Sequence, residues 1–273
     1  MTDGPLGILA GGGELPRRLI VACQDRGRPC YVVAFEGYAD RATVEGVPHG
    51  WASLGAAGRV FELLHQAGVR QIVLAGTIKR PSLLGLKLDA KGAAVLARIG
   101  LRAFGDDGLL RAVMAEFERE GFEVVGAQDV LGSLAAPAGL LGRVVPDDQA
   151  RADITRGVAV ARALGAVDVG QAVVVQQGIV LGVEAAEGTE ALLARVGALR
   201  RDGPGGVLVK LAKPGQDHRV DLPSIGNATV HQVAAAGLVG IAIEAGATLV
   251  LDLAGVIAAA DAAGLFVEGL EFR

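Results

Sequence analysis

Leu6-Gly7-Ile8-Leu9-Ala10-Gly11-Gly12-Gly13-Glu14-Leu15-Pro16 is the stretch that decides the fold. A short apolar run followed by glycines predicts a buried strand ending in a turn. Pro16 suits the first turn of a helix continuing through Leu19, Ile20 and Cys23, because a helix start leaves that N–H unbonded anyway. Strand, bare backbone and helix in this order aim N–H groups from the positive end of a helix, which suits an anion. The same residues also make an ordinary tight turn. Their spacing is not the G-x-G-x-x-G of dinucleotide folds. Glu36, just past a predicted strand Tyr31–Phe35, stands where such folds carry a ribose-binding acid.

Outward from that stretch, strand and helix patterns alternate. Gln71–Ala75 reads as the next strand and runs into Gly76-Thr77-Ile78-Lys79-Arg80-Pro81. Ligands of an open α/β sheet meet the carboxyl ends of its strands, so this loop and Gly11–Gly13 are expected side by side. Thr77 offers a hydroxyl and Lys79 or Arg80 a charge, although solvated cations are the equal alternative. Asp106-Asp107 open a helix whose apolar residues Leu109, Leu110, Val113, Met114 and Phe117 keep helical spacing. A cap is favoured over a metal pair for these two. Phe122–Val125 is a further strand, with Gln128 expected at its carboxyl end, either touching a base or sugar or serving the turn. This half is predicted to be a Rossmann-like open parallel sheet over residues 1–131. Residues 132–146, with Pro137, Gly139 and Gly142, read as a linker.

Residues 147–273 are expected to form an α+β catalytic domain. Asp147-Asp148 cap a helix running from Ala150 to Leu164. Ala172–Val175 and Ile179–Val183, joined through Gln177-Gly178, demand an antiparallel hairpin. Gln171 precedes its first strand. Glu184 and the turn Ala186–Glu190 follow the second, and Thr189 or Glu190 caps the next helix. Gly240–Ile243 and Thr248–Leu251 read as a second hairpin, and a last helix covers Gly255–Ala263.

Composition narrows the function classes. The chain has 273 residues, 51% hydrophobic but only 4% aromatic, so its core is built from Ala, Val, Leu and Ile. A net charge of -4 argues against a general nucleic-acid binder. Cys23 and Cys30 fit neither a zinc spacing nor a disulfide framework, and a reducing cytoplasm is the expected setting. Met1-Thr2-Asp3-Gly4-Pro5 lacks the basic start of a signal peptide, and Asp252 and Asp261 interrupt the most apolar long segment.

The richest chemistry lies in Gly205–Gly226. Val207-Leu208-Val209 predicts a buried strand, and the following loop carries Lys213, Asp217, His218, Arg219 and Asp221. Cations beside carboxylates suit a phosphate group with a divalent metal against it. A solvated turn with local ion pairs is the plain alternative. With Gly7–Pro16, Ala75–Pro81, Gly105–Asp107, Gln149–Asp153, Gly170–Val175 and Val183–Thr189, the stretch Val209–Gly226 makes the chain resemble the UDP-2,3-diacylglucosamine pyrophosphatase family of the LpxI type. The resemblance runs nearly end to end. Ser224 stands where a threonine is expected and Glu190 where an aspartate is, each keeping its chemical type.

The resemblance implies a cytoplasmic enzyme of lipid A biosynthesis in Gram-negative bacteria, with access to the inner-membrane surface and a homodimer as further expectations. The implied reaction splits UDP-2,3-diacylglucosamine into UMP and 2,3-diacylglucosamine 1-phosphate (lipid X), with water directed onto the α-phosphorus. Magnesium is the implied cofactor and manganese its substitute. On that reading Asp221, Lys213 and Arg219 are the catalytic residues, and Asp221 either binds metal or orients water. Asp217, Glu184 and Glu187 are further metal ligands, since magnesium prefers oxygen. His218 is a weaker candidate base. Substrate contacts are expected at Gly11, Gly12, Gly13, Thr77, Lys79, Gln128, Gln171, Gly188, Thr189, Lys213 and Ser224. The rivals are an NAD-dependent oxidoreductase, which lacks both the glycine spacing and a hydride partner, and a non-catalytic nucleotide-binding module.

Overall fold

All five residues of β1 (Leu6–Ala10) are buried, as a strand covered on both faces requires. The structure, a computed structural model, describes residues 4–78, 86–99, 106–132, 134–214, 219 and 222–272. The chain divides into two units, Met1–Ser133 with Asp217–Val220 and Leu134–Gln216 with Asp221–Arg273.

In the first unit β1 is followed by α1 (Leu15–Asp25), β2 (Cys30–Phe35), α2 (Arg41–Val44), β3 (His49–Ala52), α3 (Ala57–Gln66) and β4 (Gln71–Ala75). Next come α4 (Ala90–Ile99), α5 (Asp106–Arg119), β5 (Glu123–Val124) and α6 (Ala127–Leu131). The strands form one parallel sheet in the order β3-β2-β1-β4-β5. That is the open α/β layer expected from the alternating pattern. Helix α3 buries Val60, Phe61, Leu63 and Leu64, one stripe at helical spacing. The scarce aromatics gather there: Phe61 meets Phe117 edge-on at 5.2 Å, and Phe122 stacks on Phe61 at 6.2 Å. Concentrating large rings in one cluster lets an aliphatic-rich chain close its core beneath β5. Gln128 lies on α6 rather than at a strand end, because Gly126, in extended backbone, caps a new helix with help from Asp129.

The second unit contains β6 (Gly139–Leu140), α7 (Asp148–Ala166), β7 (Ala172–Gln176), β8 (Ile179–Val183), α8 (Gly188–Val196), β9 (Val207–Lys210) and β10 (Ser224–Ile225). It closes with α9 (Asn227–Ala235), β11 (Gly240–Glu244), β12 (Leu249–Val250), α10 (Leu253–Ala263) and β13 (Phe266–Leu270). Six strands make a mixed sheet in the order β6-β13-β11-β9-β7-β8. Its centre, β9-β11-β13, is parallel, and β7, β8 and β6 run antiparallel to their neighbours. Asp147 caps α7 by accepting from the Ala150 N–H at 2.7 Å. The hairpin β7–β8 turns through Gln177 and Gly178, both at positive φ (53° and 75°), which matches a two-residue hairpin turn. Gly157 lets α7 settle on the sheet, since a Cβ there would meet Val209 Cγ2 at 2.5 Å.

The expected second hairpin is absent. Residues of β11 are bonded on both sides to parallel partners, β9 and β13, so no edge is left for Thr248–Leu251. Instead β12 pairs in parallel with β10 in a separate two-stranded sheet. Nor is the stretch 132–146 only a connection, because β6 pairs with β13 and Ala135 bridges to Leu249.

Candidate functional site

In the first unit the two expected loops are bonded side by side. Gly12 and Thr77 exchange both backbone hydrogen bonds at 2.9 Å, and Gly11 N–H donates to the Ala75 carbonyl at 2.8 Å. Side chains would break this contact. A Cβ on Gly11 would stand 2.7 Å from the Thr77 carbonyl oxygen, and one on Gly76, at φ 89°, would strike the Gly12 carbonyl oxygen. Gly13, exposed and at φ 87°, leads into α1. The N–H groups of Gly11, Gly12 and Thr77 are thus used within the loop pair, and what it exposes at the carboxyl ends of β1 and β4, where ligands of parallel sheets bind, is Gly13, Gly76 and Thr77. Gln128 is half-buried on α6, its amide folded back over Gly126. Lys79 and Arg80 lie outside the described residues, as do the side chains of Asp106 and Asp107.

In the second unit a polar network fills the carboxyl end of β9. Lys210, the last residue of that strand, is only 7% exposed. Its ammonium donates to Thr189 Oγ1 at 3.0 Å and to the Ser224 carbonyl at 3.1 Å. Accepting from Lys210 leaves the Thr189 hydroxyl free to donate its own proton, and it does so to Glu184 Oε1 at 2.6 Å. The other oxygen of Glu184, itself 6% exposed, accepts from the Gln171 N–H at 3.2 Å. A buried cation and a buried carboxylate are thus joined through a hydroxyl, the kind of pairing that buried charge requires. Gln171 Oε1 is buried and finds no hydrogen-bond partner among the described residues. An orphaned acceptor of this kind costs about 1–3 kcal/mol and is satisfied when a ligand brings an N–H or O–H.

Three residues on, Lys213 bonds Asp168 at 2.8 Å, with its side chain 11% exposed. The Ala212 N–H donates to Glu244 Oε2 at 3.1 Å, tying the chain after β9 to the carboxyl end of β11. Gly188, at φ 82°, sets the start of α8 and so the position of Thr189.

Of the expected residues, the structure brings together Gln171, Glu184, Thr189 and Ser224 around Lys210. Lys210 itself is a residue that motif reading missed. Its signal was visible: a lysine closing an otherwise apolar buried strand needs a partner. Glu187, on the turn between Glu184 and Thr189, takes no part in this network. It is exposed and bonded to Arg195 at 2.8 Å, and that hydrogen bond holds its carboxyl below the ordinary range. Arg219 bonds Glu118 of α5 at 2.9 Å, within the first unit. Asp217, His218 and Asp221 lie outside the described residues.

The described residues alone do not make a magnesium site. None of their acidic, histidine or cysteine side chains gather in threes. Glu187 is engaged by an arginine and both Glu184 oxygens accept hydrogen bonds. The cysteines are both free thiols; Cys30 hydrogen-bonds buried Cys23, which lowers the Cys23 pKa to about 7.

Comparison with known proteins gives a consistent result. The LpxI N-terminal domain model matches residues 5–134 and the LpxI C-terminal domain model matches residues 137–268. The chain is 45% identical over 273 residues to UDP-2,3-diacylglucosamine pyrophosphatase LpxI of Caulobacter vibrioides, with 97% of each chain covered. Among solved structures it aligns with N5-carboxyaminoimidazole ribonucleotide synthetase from Thermotoga maritima at 12% identity, covering 73% of this chain and 44% of that one with a TM-score of 0.23. A likeness that weak carries no argument.

Proposed function

The chain belongs to the LpxI family, and from that premise we propose that it hydrolyses the pyrophosphate bond of UDP-2,3-diacylglucosamine to UMP and 2,3-diacylglucosamine 1-phosphate. The observation that carries this reading is the near full-length likeness to the Caulobacter pyrophosphatase. The geometry adds a reason why the chain suits the task. Water attacks the α-phosphorus, the bond to the bridging oxygen breaks, and the leaving lipid phosphate takes up the negative charge. Cations fixed in advance stabilise that charge better than solvent does.

Lys213, three residues past the end of β9, supplies such a cation, held in place by Asp168. Arg219 supplies a second. The buried Lys210–Thr189–Glu184 chain positions rather than reacts, fixing Thr189 and the Gln171 backbone at the strand ends. The vacant Gln171 Oε1 accepts from the substrate. The Gly11–Gly13 turn and the exposed Thr77, with its hydroxyl, meet the same molecule. A divalent cation, magnesium or manganese, would neutralise the diphosphate, and Asp217 and Asp221 are the carboxylates to hold it. Asp221 acts as that ligand or orients the water. The expected setting is cytoplasmic, at the inner-membrane surface where the lipid resides and in the pathway to lipid A. No helix of the described residues is long and apolar enough to cross a membrane.

Release of UMP from the purified lipid nucleotide tests the reading. Activity is expected with magnesium, lost in EDTA and restored by either metal. Asp221→Ala is expected to bind substrate yet turn it over at least about a hundredfold more slowly. Full turnover by that variant would remove Asp221 from the chemistry, and no UMP from the native protein would remove the function.

A further inference from the structure

The first unit carries a groove that the reaction so far does not use. Two depressions meet at Arg41 and Trp51: one of about 340 Å³ also lined by Glu36, Gly37 and Ala39, the other of about 580 Å³ running along α2 to His49. Their size is that of small-molecule sites. Trp51 is the chain's only tryptophan and is half-buried on edge strand β3. It stands in register with Ala34 of β2, and Glu36 follows Ala34 by two residues. Side chains two apart on a strand share a face, so Glu36 and Trp51 flank a position occupied by a single methyl group.

The backbone around them is preset. Glu36 N–H donates to the Ala52 carbonyl at 3.0 Å, and the N–H groups of Tyr38 and Ala39 both donate to Phe35 at 3.1 and 3.0 Å. Gly37, at φ 80°, makes that turn. His49 Nδ1 is 2.8 Å from the Val47 carbonyl, and the ring meets Trp51 edge-on at 6.5 Å. Neither the Glu36 carboxylate nor the Arg41 guanidinium has a side-chain partner among the described residues. The Tyr38 carbonyl would lie 3.1 Å from a Cβ on Gly12, so the groove adjoins the glycine loop.

An aromatic plane, a free carboxylate at the end of the second strand and a free guanidinium match three parts of one ligand. They are the base, the ribose hydroxyls and the phosphate of a ribonucleotide. We propose that this groove holds the uridine end of the substrate. Trp51 lies against the uracil, Glu36 accepts from the ribose hydroxyls, and Arg41 meets the phosphate. Only the choice of uridine rests on the function proposed above; the site for a ribonucleotide stands on the groove.

Because Trp51 is the sole tryptophan, its fluorescence in the full-length, metal-free protein reports directly on this site. Titration with UMP is expected to give a saturable change, with dUMP binding about tenfold more weakly. Glu36→Gln should weaken UMP about tenfold and erase the difference from dUMP, a loss of about 1.4 kcal/mol. Arg41→Ala should weaken UMP while leaving uridine unaffected. Glu36 and Arg41 are exposed, so both variants are expected to melt as the native protein does. No saturable change up to millimolar UMP, or an unchanged UMP affinity in Glu36→Gln, would overturn the site. A saturable UMP response in a protein that fails to hydrolyse the lipid nucleotide would remove the proposed reaction and leave the site standing.

Discussion

Gly76 and Thr189 carry contrasting burdens at the scale of single residues. Gly76 combines φ 89° with a carbonyl oxygen where a Cβ would go. Gly76→Ala therefore has no relaxed conformation, and a loss of roughly 2 kcal/mol or more is expected in urea unfolding. A variant as stable as the native protein would mean that the Gly12–Thr77 pairing gives way easily. Thr189→Val keeps the volume but removes the hydroxyl between Lys210 and Glu184. It should cost about 1–2 kcal/mol of stability and lower turnover about tenfold or more, read as kcat and KM separately. Native turnover would place the buried network outside the reaction. Motif reading reached Glu184 and Thr189, at a strand end and a helix start, whereas Gln171 and Ser224 entered as substrate contacts only through the family resemblance. It missed Lys210 and Trp51. The partners that give these two meaning come from Thr189, Ser224 and Glu36, distant in sequence or on another strand.

Elements are where local pattern and long-range pairing part company. The hairpin β7–β8 was legible, since two turn residues leave strands no other partner. Its anchor was not. Asp153 of α7 accepts from the N–H groups of Gln177 at 2.9 Å and Gly178 at 2.7 Å, and from Gln149 at 3.2 Å. Asp153→Asn presents an amide to one of those N–H groups, and a loss of about 3 kcal/mol is expected at an unchanged urea m-value. A loss under about 0.5 kcal/mol would show the turn holding its own shape. The false hairpin at Gly240–Leu251 has the opposite lesson: an apolar run signals burial but not its neighbour. In the first unit, Glu116 of α5 clamps Arg98 of α4 at 2.7 Å and also pairs with Arg119. The Arg98 hydrogen bond, chiefly, holds its carboxyl below the ordinary 4.5. Its contribution is complete above about pH 4.5 and fades as pH falls through the lower folded value. Acidification from about pH 6 to about pH 3 should lower the melting temperature of the native protein more steeply than that of Glu116→Gln. Parallel slopes would show the clamp to be without weight.

At the scale of the whole molecule, one chain combines an open parallel sheet with a mixed sheet whose central strands are also parallel. Each presents its candidate groups at strand carboxyl ends: a glycine turn and the exposed Thr77 in the first, a buried lysine and its partners in the second. The alternating pattern made the first sheet readable. The second was only half-readable, because its parallel core is assembled from strands separated by whole helices. Phosphate-directed chemistry has a simple isotopic signature. Hydrolysis of UDP-2,3-diacylglucosamine in ¹⁸O-labelled water, followed by mass analysis of both products, tests it most directly. The label is expected in UMP and absent from the lipid 1-phosphate; label in the lipid product, or no UMP at all, would contradict water attack on the α-phosphorus by this protein.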